Sequence, residues 1–248
     1  MKTSHLYENF HKDTKSQKEV ISEKNFTYRN IISCLNNNLH DGNKNILDIG
    51  CGAGTIDFYL VAKGYKVFGI DISNTSIEAC KKTAEILDIN FNNIDIKMMD
   101  FPNEKPKSKF DSVIFFEVIE HLKNDRKALE VIFNLLNSRG IPFLSTPSKN
   151  APLYKMGYSK NFDREVGHLR RYSSEGLINL LEKSGFQVIK IMKLEGILRN
   201  FLFLNKFFGK SIKILNKIEF FSNLITILDN ISIILFGESD LLIVARKK

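Results

Sequence analysis

Residues 45–71, NILDIGCGAGTIDFYLVAKGYKVFGID, limit the fold more than any other part of this 248-residue chain. Ile46, Leu47 and Ile49 form a short apolar run of the kind shown by a strand buried on both faces. Gly50, Gly52 and Gly54 then crowd into five residues. Glycine at that density lets the backbone turn sharply and admits a ligand where a Cβ would clash. A helix opening near Gly54 aims its free N–H groups over the turn. A second strand, 66–71, delivers Asp71 at its carboxyl end, where ligands bind in open α/β sheets and a carboxylate can accept both hydroxyls of a ribose. The unit builds a nucleoside-cofactor site.

The spacing narrows the cofactor. A dinucleotide fingerprint, G-x-G-x-x-G, needs a third glycine at position 55, which is Thr55. Here the spacing is G-x-G-x-G, with Asp48 two residues before the first glycine. A carboxylate beside the turn repels a pyrophosphate and suits a ligand bearing an ammonium or sulfonium charge. The segments LDIGCGAG (47–54), GIDIS (69–73), MMDF (98–101), FDSVIFFEVIEHL (110–122) and GIPFLSTP (140–147) stand in that order. Together they resemble the class I S-adenosylmethionine-dependent methyltransferases, over residues 40–194 plus a last strand at 241–245.

The resemblance implies an α/β fold: a doubly wound, seven-stranded, mostly parallel sheet, Rossmann-like, whose final hairpin brings in one antiparallel strand. It implies S-adenosylmethionine as cofactor. Gly50, Gly52 and Gly54 would line its methionine portion, and Asp48 would support the ammonium group through water. Asp71 would take the ribose hydroxyls and Ile72 would pack on the adenine. Asp100 would accept from the adenine amino group, with Phe101 beside the ring and Glu117 at the same site. The plainer alternatives are a helix-capping role for Asp71 and a loop-initiating role for Asp100 before Pro102.

Strand–helix alternation independently argues for a parallel sheet. Strands are expected near 45–50, 66–71, 94–99, 110–116, 140–145 and 186–194, and helices near 54–63, 74–87, 124–137 and 174–184. Ser73 and either Ser173 or Ser174 read as N-caps, and Gly185 as a helix stop. A further helix is expected over 16–39, from Val20, Phe26, Ile31, Ile32 and Leu35. The chain thus divides into an N-terminal arm and helix (1–40, a cap), the cofactor-binding core (41–195), an insertion (196–237), and the last strand with a basic tail (238–248).

The fourth strand runs into Glu117-Val118-Ile119-Glu120-His121-Leu122. On a helical turn Glu117, Glu120 and His121 share one face. His168 stands in EVGHLRRY (165–172), after the fifth strand, where it can fold over the same cleft. Three readings stay open. His121 or His168 is a general base toward an accepting hydroxyl. Or Glu117, Glu120, His121 and His168 hold a divalent metal; the E-x-x-E-H pattern with a later histidine is similar to that of the small-RNA 3′-end methyltransferases and of ubiquinone-type O-methyltransferases. Or these side chains only order loops. Arg170, Arg171 and Tyr172 could fork onto an anionic group of the substrate, or form a solvated surface pair.

With 36 Lys and Arg against 28 Asp and Glu, the chain carries a net charge of +8, which favours anionic partners without choosing among them. Cys34, Cys51 and Cys80 show no metal or disulfide spacing, as expected of a reducing cytoplasm. The N-terminus shows no secretory h-region, and no run of 18 apolar residues suggests a membrane span. In the insertion, Arg199, Lys206, Lys210, Lys213 and Lys217 fall along one helical face, with Phe201, Leu204, Phe208, Ile212 and Leu215 on an apolar one. That pattern suits peripheral attachment at the inner face of a membrane, or packing on the sheet or a second copy. Residues 220–236 are nearly apolar but hold Asp229 and Asn230, as a packed helix would.

The nearest resemblance is to small-molecule O-methyltransferases of the ubiquinone-biosynthesis kind. Strand four ends in Phe-Phe-Glu-Val, without the N-P-P-Y pattern associated with exocyclic amines. The implied acceptor is a small-molecule, quinone-like or lipid-linked hydroxyl. RNA or nucleotide methylation is the rival enzyme class, though no basic stripe with stacking aromatics marks the core. A non-catalytic cofactor-binding regulator is the rival outside enzymes.

Overall fold

Apolar residues alternate between two destinations along every central strand, and this decides the layering. The computed structural model describes residues 8, 16–40, 44–89, 91–204 and 219–248. In it, β1 (Asn45–Ile49), β2 (Lys66–Asp71), β3 (Ile94–Met98), β4 (Phe110–Phe116), β5 (Leu136–Pro147), β6 (Phe186–Leu194) and β7 (Asp240–Lys247) form one sheet in the order β3-β2-β1-β4-β5-β7-β6. β1 to β5 pair in parallel, and β7 runs antiparallel between β5 and β6. This is the expected doubly wound sheet.

Leu47, Ile49, Val113, Phe115, Leu144, Leu241 and Ile243 point to one face. There they meet α4 (Asp125–Leu135) and α7 (Ser174–Lys183) through Leu129, Ile132, Leu177 and Leu181. Ile46, Ile114, Phe143, Leu242 and Val244 point to the other. They meet α1 (Arg29–Asn38), α2 (Thr55–Ala62) and α3 (Asn74–Ile86) through Ile32, Leu35, Phe58, Leu60 and Cys80. The period of two along each strand requires this division.

Local signals place the helices. Ser73 accepts from the Ser76 amide at 3.2 Å and Ser173 from Gly176 at 3.1 Å, capping α3 and α7 as expected. Gly185 follows α7 at φ +91°, a conformation natural to glycine past a helix end. The expected helix over 16–39 is corrected: only Arg29–Asn38 is helical, and residues 16–28 form bends and turns. The Asn25 side chain accepts from Thr27 and Tyr28 amides at 3.0 and 3.3 Å, holding a local turn that competes with the helix.

After β5 come two short helices, α5 (Pro152–Lys155) and α6 (Lys160–Val166). Within the expected insertion lie α8 (Ile197–Leu204) and α9 (Glu219–Phe236). Four of the five cations expected along its basic face, Lys206, Lys210, Lys213 and Lys217, lie outside the described residues, as do Phe208, Ile212 and Leu215. The fifth, Arg199, is corrected. It is 2% exposed, paired with Asp229 at 3.8 Å, and stacked over Phe26 with its guanidinium 4.3 Å from the ring centroid.

Candidate active site

β1 and β4 are neighbours from which the chain winds off in opposite directions, so a crevice opens at their carboxyl ends. A cavity of about 420 Å³ sits there, within the range of roughly 300–1,000 Å³ typical of small-molecule sites. Gly50, Gly52, Asp71, Ile72, Asp100, Phe101, Glu117, His121 and His168 all line it. Met99, Phe116, Val118, Leu122, Phe162 and Val166 complete an apolar wall, a role the sequence reading had given to none of these.

The three glycines divide their work. All have positive φ, +81° at Gly50, +55° at Gly52 and +77° at Gly54. A Cβ at Gly52 would meet nothing within 4 Å, so this residue presents bare backbone to the cavity. A Cβ at Gly54 would lie 2.5 Å from Cys80 Sγ and 2.7 Å from Phe58, so this glycine serves packing and does not line the cavity. Asp71 takes the Gly52 amide on Oδ2 at 2.9 Å and the Ser73 amide on Oδ1 at 2.8 Å. The carboxylate thus braces the turn from the cavity wall. Exposed Asp100 accepts from Asn103 at 3.0 Å within its loop, the loop-ordering role weighed for it, while also lining the cavity. Phe101 is buried edge-on against Phe115 at 5.9 Å.

Asp48 does not line the cavity. It is buried below the turn and interacts with Asp57, a fully buried acid of α2 whose role no motif announced and whose two carboxyl oxygens have no donor. Burial pushes the Asp48 carboxyl up to about 7, partly offset by the interaction with Asp57 and reinforced by the charge of Asp71. Asp57 is pushed well above the ordinary range by burial and by the Asp48 charge.

Across the cavity, Glu117 is not on a helical turn. Its φ is +54°, and its carboxylate accepts from Ser145 Oγ at 2.6 Å. A 3-10 turn, Ile119–His121, follows. The four-residue metal set is therefore corrected to three among the described residues: Glu120, His121 and His168, whose ligand atoms lie within 4.8 Å of one another.

Glu120 is fully buried. Its Oε2 accepts from Thr146 at 2.9 Å, while Oε1 has no hydrogen-bond donor and stands 3.8 Å from Nε2 of both histidines. Burial, then the charge of Glu117, raise its carboxyl well above the ordinary range.

The chain after β5 brings His168 in. Gly167 ends α6 in the left-handed conformation, φ +83°, and the His168 amide bonds back to Asp163 O at 2.8 Å. This fold-back sets His168 Nδ1 3.1 Å from Asp163 Oδ1 and stacks the two imidazoles edge to face at 4.7 Å. His121 Nδ1 faces Gly167 O at 3.3 Å. With a proton on Nδ1, held by Asp163, His168 turns its Nε2 lone pair toward the donorless Glu120 oxygen, and His121 Nε2 stands at the same 3.8 Å from it. Such a set demands a proton or a metal cation.

Arg171 grips Asp163 with both prongs, at 2.7 and 2.6 Å. Burial alone would raise the Asp163 carboxyl, but bonds from Arg171 and His168 outweigh it and hold the group down at about 2. Arg170 and Tyr172 both bond Asp125, at 2.7 and 2.8 Å. Arg170, Arg171 and Tyr172 do not line this cavity: Arg171 braces Asp163 behind His168, and Arg170 and Arg171 line a second cavity that His168 shares. Asp163 was missed because its meaning depends on Gly167 reversing the chain, which spacing alone does not reveal.

Known proteins share this chain's sequence pattern and fold. A methyltransferase-domain family matches residues 24–191. A ubiquinone biosynthesis O-methyltransferase of Glaesserella parasuis is 31% identical over 116 residues, 46% of this chain and 49% of the relative. The chain spans about half the length of the curated relatives it matches. Among solved structures, phosphoethanolamine N-methyltransferase 2 of Haemonchus contortus with S-adenosyl-L-methionine superposes with a TM-score of 0.68 at 15% identity, covering 97% of this chain and 60% of that one. Magnesium protoporphyrin IX methyltransferase of Synechocystis, with bound SAH, gives 0.62 at 15% identity, covering 98% and 94%. At these identities the structures establish the shared fold.

Proposed function

The chain belongs to the S-adenosylmethionine-dependent methyltransferase-domain family, and from that premise we propose that it methylates an oxygen of a small-molecule, quinone-like or lipid-linked acceptor. The observation that carries this reading is that His121 and His168 line the cavity bounded by the glycine turn and Asp71, with both Nε2 atoms 3.8 Å from the buried Glu120 Oε1 behind them. The cofactor supplies an electrophilic methyl on a sulfonium. The turn's backbone and Asp71 hold it, with Ile72 and Phe101 flanking the adenine.

The rest is positioning and proton management. The cavity sets the acceptor oxygen in line with the methyl, the largest contribution available to such a displacement. As the new C–O bond forms and the C–S bond breaks, the hydroxyl proton must leave. Asp163 holds the His168 proton on Nδ1, which leaves Nε2 to take that proton. The Arg171–Asp163 pair stabilises the imidazolium that results.

The same donor set fits a divalent cation. Glu120, His121 and His168 supply one carboxylate oxygen and two imidazole nitrogens, with an orphaned buried oxygen that a cation would satisfy. Asp163 behind His168 is the outer partner that metal-bound histidines ordinarily have. A bound cation would lower the acceptor hydroxyl's pKa and orient vicinal oxygens.

Radiolabelled methyl transfer to a catechol or hydroquinone, to a lipid extract and to RNA, with and without chelator, tests the reading. Label on the phenolic or lipid acceptor supports it. Label on RNA alone moves the chain to the rival enzyme class. Cofactor binding without transfer to any acceptor favours the regulatory role.

A further inference from the structure

Helix α9 is built inside out. Its polar residues Ser222, Asp229 and Ser232 are buried against the protein at 0%, 1% and 6% exposure. Its large apolar residues face outward: Phe220, Leu224, Ile227, Ile231 and Ile234 are all more than 40% exposed, Ile234 reaching 84%. Their spacings of four, three, four and three make one continuous stripe.

Polar bonds fix this orientation. Asp229 accepts from the Gly196 and Arg199 amides at 2.9 and 2.8 Å, capping the start of α8. Ser232 accepts from the Ile197 amide at 3.0 Å. Arg29 on α1 reaches Asn223 at 2.8 Å and Ser222 at 2.5 Å. A Cβ at Gly196 would lie 2.0 Å from Ser232 Oγ, so the close approach depends on glycine. Rotating the stripe inward would break every one of these bonds and bury Asp229 away from its partners.

Soluble proteins rarely leave so long an apolar stripe uncovered. We propose that the outer face of α9 docks on an anionic lipid surface, with the helix lying in the plane of the interface. Charge selects this occupant. The sequence just before α9, residues 205–218, carries Lys206, Lys210, Lys213 and Lys217 and no acid. On α9 itself, Glu219 is paired with Lys24 and Asp229 is buried. In sequence the apolar stripe thus follows directly on a segment with four lysines and no acid, the combination that interfacial helices use toward acidic headgroups. The helix does not cross a bilayer in this position, because its polar side is committed to α8 and α1 and β7 begins four residues after it ends. The inference is independent of which acceptor the active site takes.

Co-sedimentation of the full chain with vesicles tests it. One set is phosphatidylcholine with roughly a third phosphatidylglycerol, and the other is phosphatidylcholine alone. The variants are Ile234→Glu and the pair Ile227→Glu with Ile231→Glu, all at exposed positions, with S-adenosylmethionine binding measured as the folding control. The wild type should pellet with the acidic vesicles, at least about tenfold more weakly with neutral ones or in 1 M salt, and the double variant should lose about tenfold or more with cofactor affinity intact. Absence of vesicle binding, equal binding to neutral vesicles, or undiminished binding by the variants would overturn the proposal. So would a dimer in light scattering that the same variants dissolve, since the stripe would then serve a second copy.

Discussion

Oε1 of Glu120 lies 3.8 Å from Nε2 of His168, fully buried and without a hydrogen-bond donor, while Nδ1 of His168 is engaged by Asp163. Such an oxygen beside such a nitrogen is costly unless something positive joins them. Glu120→Gln should therefore lower turnover by about 10- to 100-fold with little change in S-adenosylmethionine affinity. Titration with Mg²⁺, Mn²⁺ or Zn²⁺, and activity after chelation, separate a cation site from a proton-sharing pair. Loss on chelation, regained with one of these metals and absent in the variant, marks the cation site.

Asp163→Asn tests the brace behind the histidine. The variant keeps the shape but loses the negative charge between Arg171 and His168. Turnover should fall by about 10- to 100-fold while S-adenosylmethionine affinity is kept. Normal turnover would remove His168 from the proton-transfer role.

Asp71→Ala removes both the expected ribose acceptor and the brace to the Gly52 and Ser73 amides. Calorimetry should show S-adenosylmethionine binding weakened by about 10- to 100-fold or more. Asp71→Asn, which retains an acceptor, should lose less.

Asp48 makes stability depend on pH. Its carboxyl is held at about 7 in the folded protein, against an ordinary value of 3.8. Between those two pH values the unfolded chain loses this proton and the native chain keeps it. Stability should therefore fall as pH rises through that window, with the loss complete above about 7, on the order of 1–4 kcal/mol. Asp48→Asn should flatten the fall and raise Tm at pH 8 by about 2–8 °C, read by scanning calorimetry.

Gly54→Ala should destabilise the fold by about 1–3 kcal/mol, from its φ of +77° and the contacts with Cys80 and Phe58. Gly52→Ala meets open space, so its cost should be mainly backbone strain and lost cofactor affinity.

The sheet was legible because its signals are local. Ile46 to Ile49, Phe110 to Phe116 and Phe186 to Leu194 announce strands by themselves, and Ser73 and Ser173 announce the helices after them. The glycine turn and Asp71 were legible for the same reason. What spacing misjudged depends on contacts distant in the chain. Arg199 reads as a surface cation until Asp229, thirty residues on, takes its place beside it. Arg171 reads as a substrate fork until the turn at Gly167 sets Asp163 against it. At Phe162 and Val166 the apolar wall of the cavity has no motif, because any bulky side chain there would serve.

The placement of β7 between β5 and β6 bears on how the chain is made. β6 pairs with β7 alone, and β7 is the last strand of the sheet in chain order. While the ribosome is still producing residues 195–239, β6 has no strand to bond, and β5 offers one bare edge. Such edges invite pairing with other chains. Asp240–Lys247 closes both at once. A truncation removing β7 should thus yield aggregates during synthesis, even though most of the cofactor cavity is encoded before it.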